Sequence, residues 1–188
     1  KELNYQPNHI AKSLKTGKTN TIGLIVADIS NPFFASIARG VEDESGQFGL
    51  TTIIGSSDES PEKLKNLVDV FIKRQVDGFI ISPPDHSEET IDYIISLGIP
   101  ICLIDRHLEH VNSSYVVTDN KESMGKAVSY LIELGYKNLA FIGYDSSLQH
   151  MKDREQGFLD ATASIDSKVY KINFNKQQAE LGKNIQYI

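Results

Sequence analysis

The sequence of 188 residues has little of several features that would point to a particular class of protein. Its one cysteine, Cys102, excludes an internal disulfide and a metal cluster built on paired thiols, and it fits a reducing cytosol. No run approaches the roughly 20 apolar residues that a membrane-spanning helix needs. The first residues contain no apolar core of the kind found in a signal peptide. We therefore expect a cytoplasmic protein with no membrane partner.

A glycine-rich phosphate-binding loop is absent as well. After the first apolar segment, residues 28–34 include a proline and two phenylalanines, which cannot let the backbone wrap a pyrophosphate closely. The five histidines are scattered, and His107 and His110 have no carboxylate in metal-ligand geometry. No Ser-His-Asp or Cys-His arrangement can be identified, and the first strand is not followed by the paired acidic residues of a phospho-acceptor domain. We therefore expect no enzyme, no metal site and no cofactor.

Charge is distributed unevenly along the chain. The net charge is −6, yet residues 1–20 have a balance of +3, so the other 168 residues carry −9. A basic segment on an acidic body suggests a negatively charged partner at one end only, although a frayed, solvated terminus is the alternative. Residues 7–14 could form about two turns of helix, too short to be stable alone in water. We expect a partner to order this segment, with Lys12, Lys15 and Lys18 facing phosphates.

From residue 21 onward, short apolar β-branched runs alternate with amphipathic stretches of helical period. Strands that are apolar on both faces and separated by helices indicate a parallel sheet covered on both sides. The predicted fold class is therefore α/β with a doubly wound parallel sheet. The predicted strands are 22–26, 51–54, 79–81, 101–104, 115–117, 139–142 and 169–172. The predicted helical faces are Phe34, Ile37, Ala38, Val41 and Phe48; Leu64, Leu67, Val68, Phe71 and Ile72; Ile91, Ile94 and Ile95; and Met124, Ala127, Val128, Leu131 and Ile132.

Several residues predict where these helices begin and end. Ser60 is the expected N-cap of the second helix, with Pro61 at its first position. Ser87 is the expected cap of the third helix, which Gly98 ends, and Gly135 ends the fourth. After residue 138 the pattern restarts as strand, helix (152–162), strand and helix (177–188). We therefore divide the chain into an amino-terminal segment (1–20), a largely present first lobe (21–137) and the start of a truncated second lobe (138–188).

Ligands of open α/β sheets bind beyond the carboxyl ends of the strands, and the residues predicted there share a chemistry. Carboxylates accept hydrogen bonds from hydroxyls, an arginine donates, and an aromatic face covers a sugar ring, so the set suits a neutral polyol. Asp105 and Arg106 are adjacent at a buried strand end and need partners. Asp119, Asn120 and Ser87 have the alternative of capping helices. The predicted strand ends are 28–34, 56–58, 82–84, 105–106, 119–120 and 144–147.

Arg154 lies near the start of the helix predicted over 152–162, where a cation is unfavourable to the helix dipole. Something else should hold this side chain, either a ligand or a neighbouring carboxylate such as Asp145 or Asp153. An exposed surface charge is the alternative.

Several segments, in order along nearly the whole chain, carry a family resemblance. Residues 5–14 read Tyr-Gln-Pro-Asn-His-Ile-Ala-Lys-Ser-Leu, and residues 22–26 and 28–34 read Ile-Gly-Leu-Ile-Val and Asp-Ile-Ser-Asn-Pro-Phe-Phe. Further matches are 76–80, 119–120, 134–142 and 154–158. The chain resembles the LacI/GalR family of bacterial transcription regulators, from its hinge through its effector-binding core. The resemblance implies a periplasmic-binding-protein-like core, with a helix-turn-helix domain ahead of residue 1 and more of the second lobe after residue 188.

The resemblance also implies functional roles. Hinge helices would pair in the minor groove of operator DNA in a homodimer, with Leu14 as the wedge that opens a base step and Asn8 and Lys12 as further DNA contacts. The helix carrying residues 64–72 and its neighbours would supply part of the dimer contact, because paired hinges bring the adjoining lobes together.

A small sugar-like effector would bind between the lobes. Its expected contacts are Asn31, Phe33, Phe34, Asp105, Arg106, Asp119 and Arg154. The Asp105–Arg106 pair, together with residues 31–34, looks most like the ribose-repressor branch. A periplasmic-type sugar-binding protein without DNA binding is the alternative; it would explain the same pocket residues but not the basic segment.

Overall fold

The computed structural model describes residues 17–145 and 148–172, apart from the side chains of Tyr144 and Ile172. Contacts divide the chain into two compact units, Lys1–Val117 (unit 1) and Thr118–Ile188 (unit 2). The strands are β1 (Thr21–Val26), β2 (Thr51–Ser56), β3 (Gly78–Ile81), β4 (Ile101–Ile104), β5 (Ser114–Val116), β6 (Asn138–Tyr144) and β7 (Asp166–Ile172). The helices are α1 (Pro32–Gln47), α2 (Pro61–Lys73), α3 (Glu88–Ser96), α4 (Asn120–Glu133) and α5 (Gln149–Ala161).

Unit 1 is built on a five-stranded sheet in the order β2-β1-β3-β4-β5, with every neighbouring pair parallel. Successive residues of β1 face opposite sides of this sheet. Ile25 packs in one cluster with residues of α2 and α3, and Leu24 and Val26 pack in another with Phe34 and Ala38 of α1. Helices therefore cover both faces, and the predicted doubly wound α/β fold is confirmed.

Helix α2 shows how local sequence sets an element. The Ser60 hydroxyl oxygen accepts a hydrogen bond from the backbone N–H of Lys63 at 3.2 Å, and Pro61 occupies the first turn, as predicted. Leu64, Val68 and Phe71 are buried on the predicted face. In the described part of the chain, no helix combines the length and apolar character that crossing a membrane requires.

One prediction about the helices is wrong. Phe48 does not continue the buried face of α1, because the helix ends at Gln47 and the Phe48 side chain is 79% exposed. Ser87 is the N-cap residue of α3, as predicted, but its hydroxyl donates to the Pro84 carbonyl at 2.7 Å rather than accepting a hydrogen bond from the helix. The expected helix end at Gly98 is confirmed: this residue has φ +70°, a left-handed conformation that glycine adopts without steric cost.

Unit 2 contains the parallel pair β6–β7 and the helices α4 and α5. The two helices approach closely at Gly157, where an added Cβ would lie 2.3 Å from the Lys121 carbonyl oxygen. Helix α5 begins at Gln149, three residues before its predicted start. Because α4 packs on α5, the compact units divide after Val117, and the lobe boundary between 137 and 138 stays a prediction.

A cluster of hydrogen bonds around Asp77, directly before β3, holds the residues that precede β1. Its carboxylate accepts from the backbone N–H of Thr19 at 3.0 Å and of Asn20 at 2.7 Å. The Thr19 hydroxyl also donates to the Gln75 carbonyl at 2.7 Å. This Asp77 clamp fixes the point at which the chain joins β1.

Candidate functional site

The loops that follow β1, β2, β3 and β4 meet at one edge of the five-stranded sheet, because these strands are parallel. Four non-glycine residues in these loops have a left-handed backbone: Asp58 (φ +51°), Glu59 (φ +57°), His86 (φ +58°) and Asp105 (φ +67°). Such conformations cost free energy and cluster at ligand-binding and active sites. This carboxyl edge is therefore the place to look for a ligand site in unit 1.

Arg106 is the centre of an ion-pair cluster at the carboxyl edge. Its Nη1 and Nη2 donate to the two carboxylate oxygens of Glu59 at 2.8 and 3.1 Å, and its Nε donates to Asp105 Oδ2 at 3.3 Å. The Arg106 side chain is 6% exposed, against 39% for Glu59 and 14% for Asp105. Arg106 thus has the partners that its buried position requires, Asp105 and Glu59. Glu59 is not among the predicted site residues.

The loop after β1 is ordered by its own side chains. Asp28 Oδ1 accepts from the backbone N–H of Ser30 at 2.8 Å and from its hydroxyl at 2.7 Å. Asn31 caps α1, because its Oδ1 accepts from the Phe33 N–H at 3.0 Å. The Ser56 hydroxyl accepts from the Ile29 N–H at 3.0 Å and so ties this loop to the end of β2. The loop is preorganised, with the Asn31 side-chain oxygen already engaged.

The two phenylalanines at the start of α1 have different surroundings. Phe33 is 51% exposed, whereas Phe34 is 5% exposed and belongs to the core cluster of α1 and β1. Their rings meet edge to face, with centroids 5.1 Å apart. Phe33 is therefore available to cover a ligand, while Phe34 packs in the core and supports Phe33.

One buried hydroxyl lies at the same edge. Ser82 directly follows β3 and is fully buried, and its Oγ has no hydrogen-bond partner among the described residues. Its backbone N–H donates to the Ile25 carbonyl at 2.8 Å, which continues the pairing of β3 with β1. An unpaired buried hydroxyl destabilises the fold, so Ser82 marks a second polar position at the end of the central strands.

In unit 2, Arg154 is joined to the start of α4. Its Nε donates to Asn120 Oδ1 at 2.7 Å, and Asn120 Nδ2 in turn donates to the Thr118 carbonyl at 2.9 Å. Asp119 Oδ1 accepts from the Glu122 N–H at 2.9 Å and caps α4. Arg154 thus pairs with an amide rather than with Asp145 or Asp153, and it lies in the second turn of α5 rather than the first.

The structure therefore sorts the predicted site residues into two groups. Asp105 and Arg106 are in contact, and Asn31, Phe33 and Phe34 lie at the start of α1, at the same edge of the sheet in unit 1. Asp119 and Arg154 lie at adjoining helix starts in unit 2. The predicted DNA contacts Asn8, Lys12 and Leu14 lie outside the described residues. Glu59 was missed, although its place between Asp58 and the cap Ser60 puts it at a strand end.

The surroundings shift the pKa of several titratable side chains in the described part of the chain. Hydrogen bonds from Lys121 and then from Gln156 lower the pKa of Asp160 below its usual value. Burial raises the pKa of the Cys102 thiol, which keeps it protonated and unreactive at neutral pH. Residues 17–145 and 148–172 contain no group of three or more histidine, cysteine or acidic side chains that could hold a metal ion.

The sequence matches the family described as periplasmic binding proteins and sugar binding domain of LacI family over residues 19–184. Catabolite control protein A of Staphylococcus epidermidis is 35% identical over 174 residues, which cover 90% of this chain and 51% of that protein. The HTH-type transcriptional repressor PurR of Actinobacillus pleuropneumoniae is 31% identical over 160 residues, 85% of this chain and 48% of that protein. The chain spans about half the length of the curated relatives it matches.

Solved structures agree with this assignment. A putative ribose operon repressor from Burkholderia thailandensis superposes with a TM-score of 0.75 at 29% identity, covering 81% of this chain and 60% of that one. A periplasmic binding protein/LacI transcriptional regulator from Alkaliphilus metalliredigens, complexed with D-xylulofuranose, gives 0.73 at 26% identity, covering 84% and 59%. The resemblance to LacI/GalR regulators is confirmed, and the chain belongs to the family of periplasmic binding proteins and LacI-type sugar-binding domains.

Proposed function

We propose that this chain is the effector-sensing part of a DNA-binding transcription repressor, that its effector is a small sugar, and that it catalyses no reaction. The observation that carries the proposal is the buried Arg106, paired with Asp105 at the carboxyl edge, where the exposed ring of Phe33 also lies. The regulators among its relatives support the DNA-binding role. The D-xylulofuranose complex of a similar protein supports a pentose-sized effector.

The chemistry of this edge suits a sugar. A carboxylate such as Asp105 accepts hydrogen bonds from ring hydroxyls, and the Arg106 N–H groups not used by Asp105 and Glu59 donate to hydroxyl or ring oxygens. An aromatic face such as Phe33 covers the apolar side of the ring. The family resemblance adds Arg154 and Asp119 as effector contacts, and the 29% identity to a ribose operon repressor favours the ribose-like branch.

The DNA-binding part of the proposal depends on residues 1–20. In a cytoplasmic homodimer, the two copies of this basic segment would pair on operator DNA, with Asn8, Lys12 and Leu14 as contacts. Lysines that neutralise phosphates release counterions, which makes such binding strongly salt-dependent. A periplasmic-type sugar-binding protein would bind the sugar but not the operator, so DNA binding by the full-length protein separates the two functions.

Substituting Arg106 tests the effector site. In the full-length protein, Arg106→Ala should lower affinity for D-ribose, or for the neutral pentose that binds best, by about tenfold to a hundredfold, because hydrogen bonds to charged groups contribute roughly 1.5–3 kcal/mol. Operator binding should persist, giving a regulator that no longer responds to its effector. Titration calorimetry measures the sugar affinity, and a DNA mobility-shift assay measures operator binding.

Arg74→Ala is the matched control, since Arg74 is an exposed arginine at the end of α2, away from the carboxyl edge. It should leave sugar affinity unchanged. Thermal unfolding of each variant separates a lost contact from a lost fold. Equal sugar affinity of Arg106→Ala and the unsubstituted protein would contradict the assignment of the site.

A further inference from the structure

We propose that Glu59 makes the candidate effector site selective for uncharged ligands by occupying the guanidinium fork of Arg106. This inference rests on the proposed function, because it concerns which sugars the same site admits. An arginine with a free fork is a strong site for phosphate or carboxylate. Here the Glu59 carboxylate, which belongs to the same unit, already occupies this fork. The site therefore favours ligands that do not need to pair with a cation.

The geometry of the Arg106 cluster carries this inference. A guanidinium has five N–H donors; here two point to the carboxylate oxygens of Glu59 and a third points to Asp105. One cation therefore faces two carboxylates, and the cluster has a formal charge of −1. The remaining N–H groups can donate to a hydroxyl, but a phosphate placed beside them would also meet two negative groups.

The described loops of this edge in unit 1 contain no lysine and no arginine other than Arg106. The loops after β1–β4, residues 27–31, 57–60, 82–87 and 105–113, contain six carboxylates and one arginine. The nearest lysine to these loops along the chain, Lys63 in the first turn of α2, is paired with Asp58. A ligand phosphate would therefore be repelled at this edge rather than bound.

The helix starts at this edge are also occupied. A free helix N-terminus binds anions through its unpaired N–H groups and its dipole. The side chains of Asn31 and Ser60 cap α1 and α2, and Glu62 lies in the first turn of α2. Glu88 and Glu89 lie in the first turn of α3. Side-chain oxygens thus cap α1 and α2, and α3, which has no side-chain cap, carries two carboxylates in its first turn.

Paired ligands that differ only by a phosphate test the inference. In the full-length protein, calorimetry compares D-ribose, D-xylulose and D-fructose with D-ribose 5-phosphate, D-xylulose 5-phosphate and D-fructose 1-phosphate. We expect at least one free sugar to bind at least about tenfold more tightly than its monophosphate. In Glu59→Gln, which keeps the side-chain shape and removes its charge, this preference should fall by about tenfold while free-sugar affinity changes little.

Two variants control for fold and for general charge. Glu44→Gln removes the same charge from an exposed position near the end of α1, away from the carboxyl edge, and should keep the preference. Glu59→Asp keeps the negative charge, so this variant should also keep the preference for the free sugar over its monophosphate.

The possible outcomes distinguish the role of Glu59 in ligand selectivity from the sugar-sensing function on which that role depends. If free sugars bind but Glu59→Gln has the same preference as the unsubstituted protein, the selectivity role of Glu59 is wrong and the sugar site stands. A monophosphate that binds as tightly as its free sugar also overturns that role. If neither member of any pair binds, the proposed sugar-sensing function fails.

Discussion

Arg154 is held by an amide on a neighbouring helix rather than by a carboxylate. Its Nε donates to the side-chain oxygen of Asn120, and Asn120 is only 7% exposed. Removing the arginine leaves that buried oxygen unpaired, which costs about 1–3 kcal/mol. We predict that Arg154→Ala lowers the free energy of unfolding by this amount, measured by chemical denaturation. As a proposed effector contact, it should also lower sugar affinity by about tenfold to a hundredfold.

Lys152 provides the comparison for that change. It is an exposed cation on the same helix, two residues away, so Lys152→Ala removes the same charge without leaving Asn120 unpaired. Its free energy of unfolding should stay within about 0.5 kcal/mol of the unsubstituted protein. An equal loss in both variants would show that the Arg154–Asn120 bond does not stabilise unit 2.

Residues at the candidate site differ in how far the sequence alone could place them. Asp105 and Arg106 were predictable because two adjacent charges at a buried strand end need partners. Glu59 was not, because its contact with Arg106 spans 47 residues along the chain. Its position also depends on two successive left-handed residues, Asp58 and Glu59, which no periodicity reveals. The pairing of Arg154 with Asn120 was missed for the same reason, since it requires the packing of α4 on α5.

At the scale of elements, strands and helix caps follow closely from local sequence. Strand β4 lies where the apolar run predicted it, and Ser60 caps α2, because both depend on neighbouring residues only. Local sequence says less where other contacts decide. Phe48 fits the helical period of α1 but follows its last turn, and the Ser87 hydroxyl binds a nearer carbonyl.

Helix ends supply a prediction about stability. Gln75 follows the C-cap of α2 with φ +57°, and its side chain is exposed. Glycine adopts this backbone without steric cost, so Gln75→Gly should raise the free energy of unfolding by up to about 1 kcal/mol. Gly98→Ala makes the opposite change at the end of α3, where φ is +70° and no atom lies within 4 Å of the added Cβ. It should lower stability by a similar amount through backbone strain alone.

Thermal or urea unfolding of the two variants checks this prediction. The Gln75 carbonyl accepts a hydrogen bond from the Thr19 hydroxyl, and the substitution leaves that backbone group in place. Opposite shifts in the two variants are the expected result. Destabilisation by Gln75→Gly would mean that its side chain, rather than its backbone conformation, governs the end of α2.

At the scale of the whole molecule, Leu14 is the residue on which operator bending should depend. Opening a base step costs a few kcal/mol, and an inserted apolar side chain offsets that cost. In the full-length protein, Leu14→Ala should therefore weaken specific operator binding and reduce DNA bending while sugar affinity is unchanged. A circular-permutation gel assay measures the bend, and undiminished bending would contradict the wedge role.

Dimerisation is the second whole-molecule prediction. Paired hinges require the adjoining lobes to be close, so the full-length protein should sediment as a dimer at micromolar concentration. Leu64, Val68 and Phe71 cannot supply the contact, because they are buried within unit 1. The outer face of α2, which includes the half-exposed Val70, remains available. Sedimentation as a monomer at that concentration would refute the prediction.

The Asp77 clamp and the paired strands β1 and β3 connect the residues before β1 to the candidate site. Its carboxylate holds Thr19 and Asn20 directly before β1, and Asp77 itself directly precedes β3. These paired strands run from the clamp to the candidate site, about 20 Å away at roughly 3.3 Å per residue. A change in the loops beyond β1 and β3 would therefore reach Thr19 and Asn20 through two paired strands rather than through a loop.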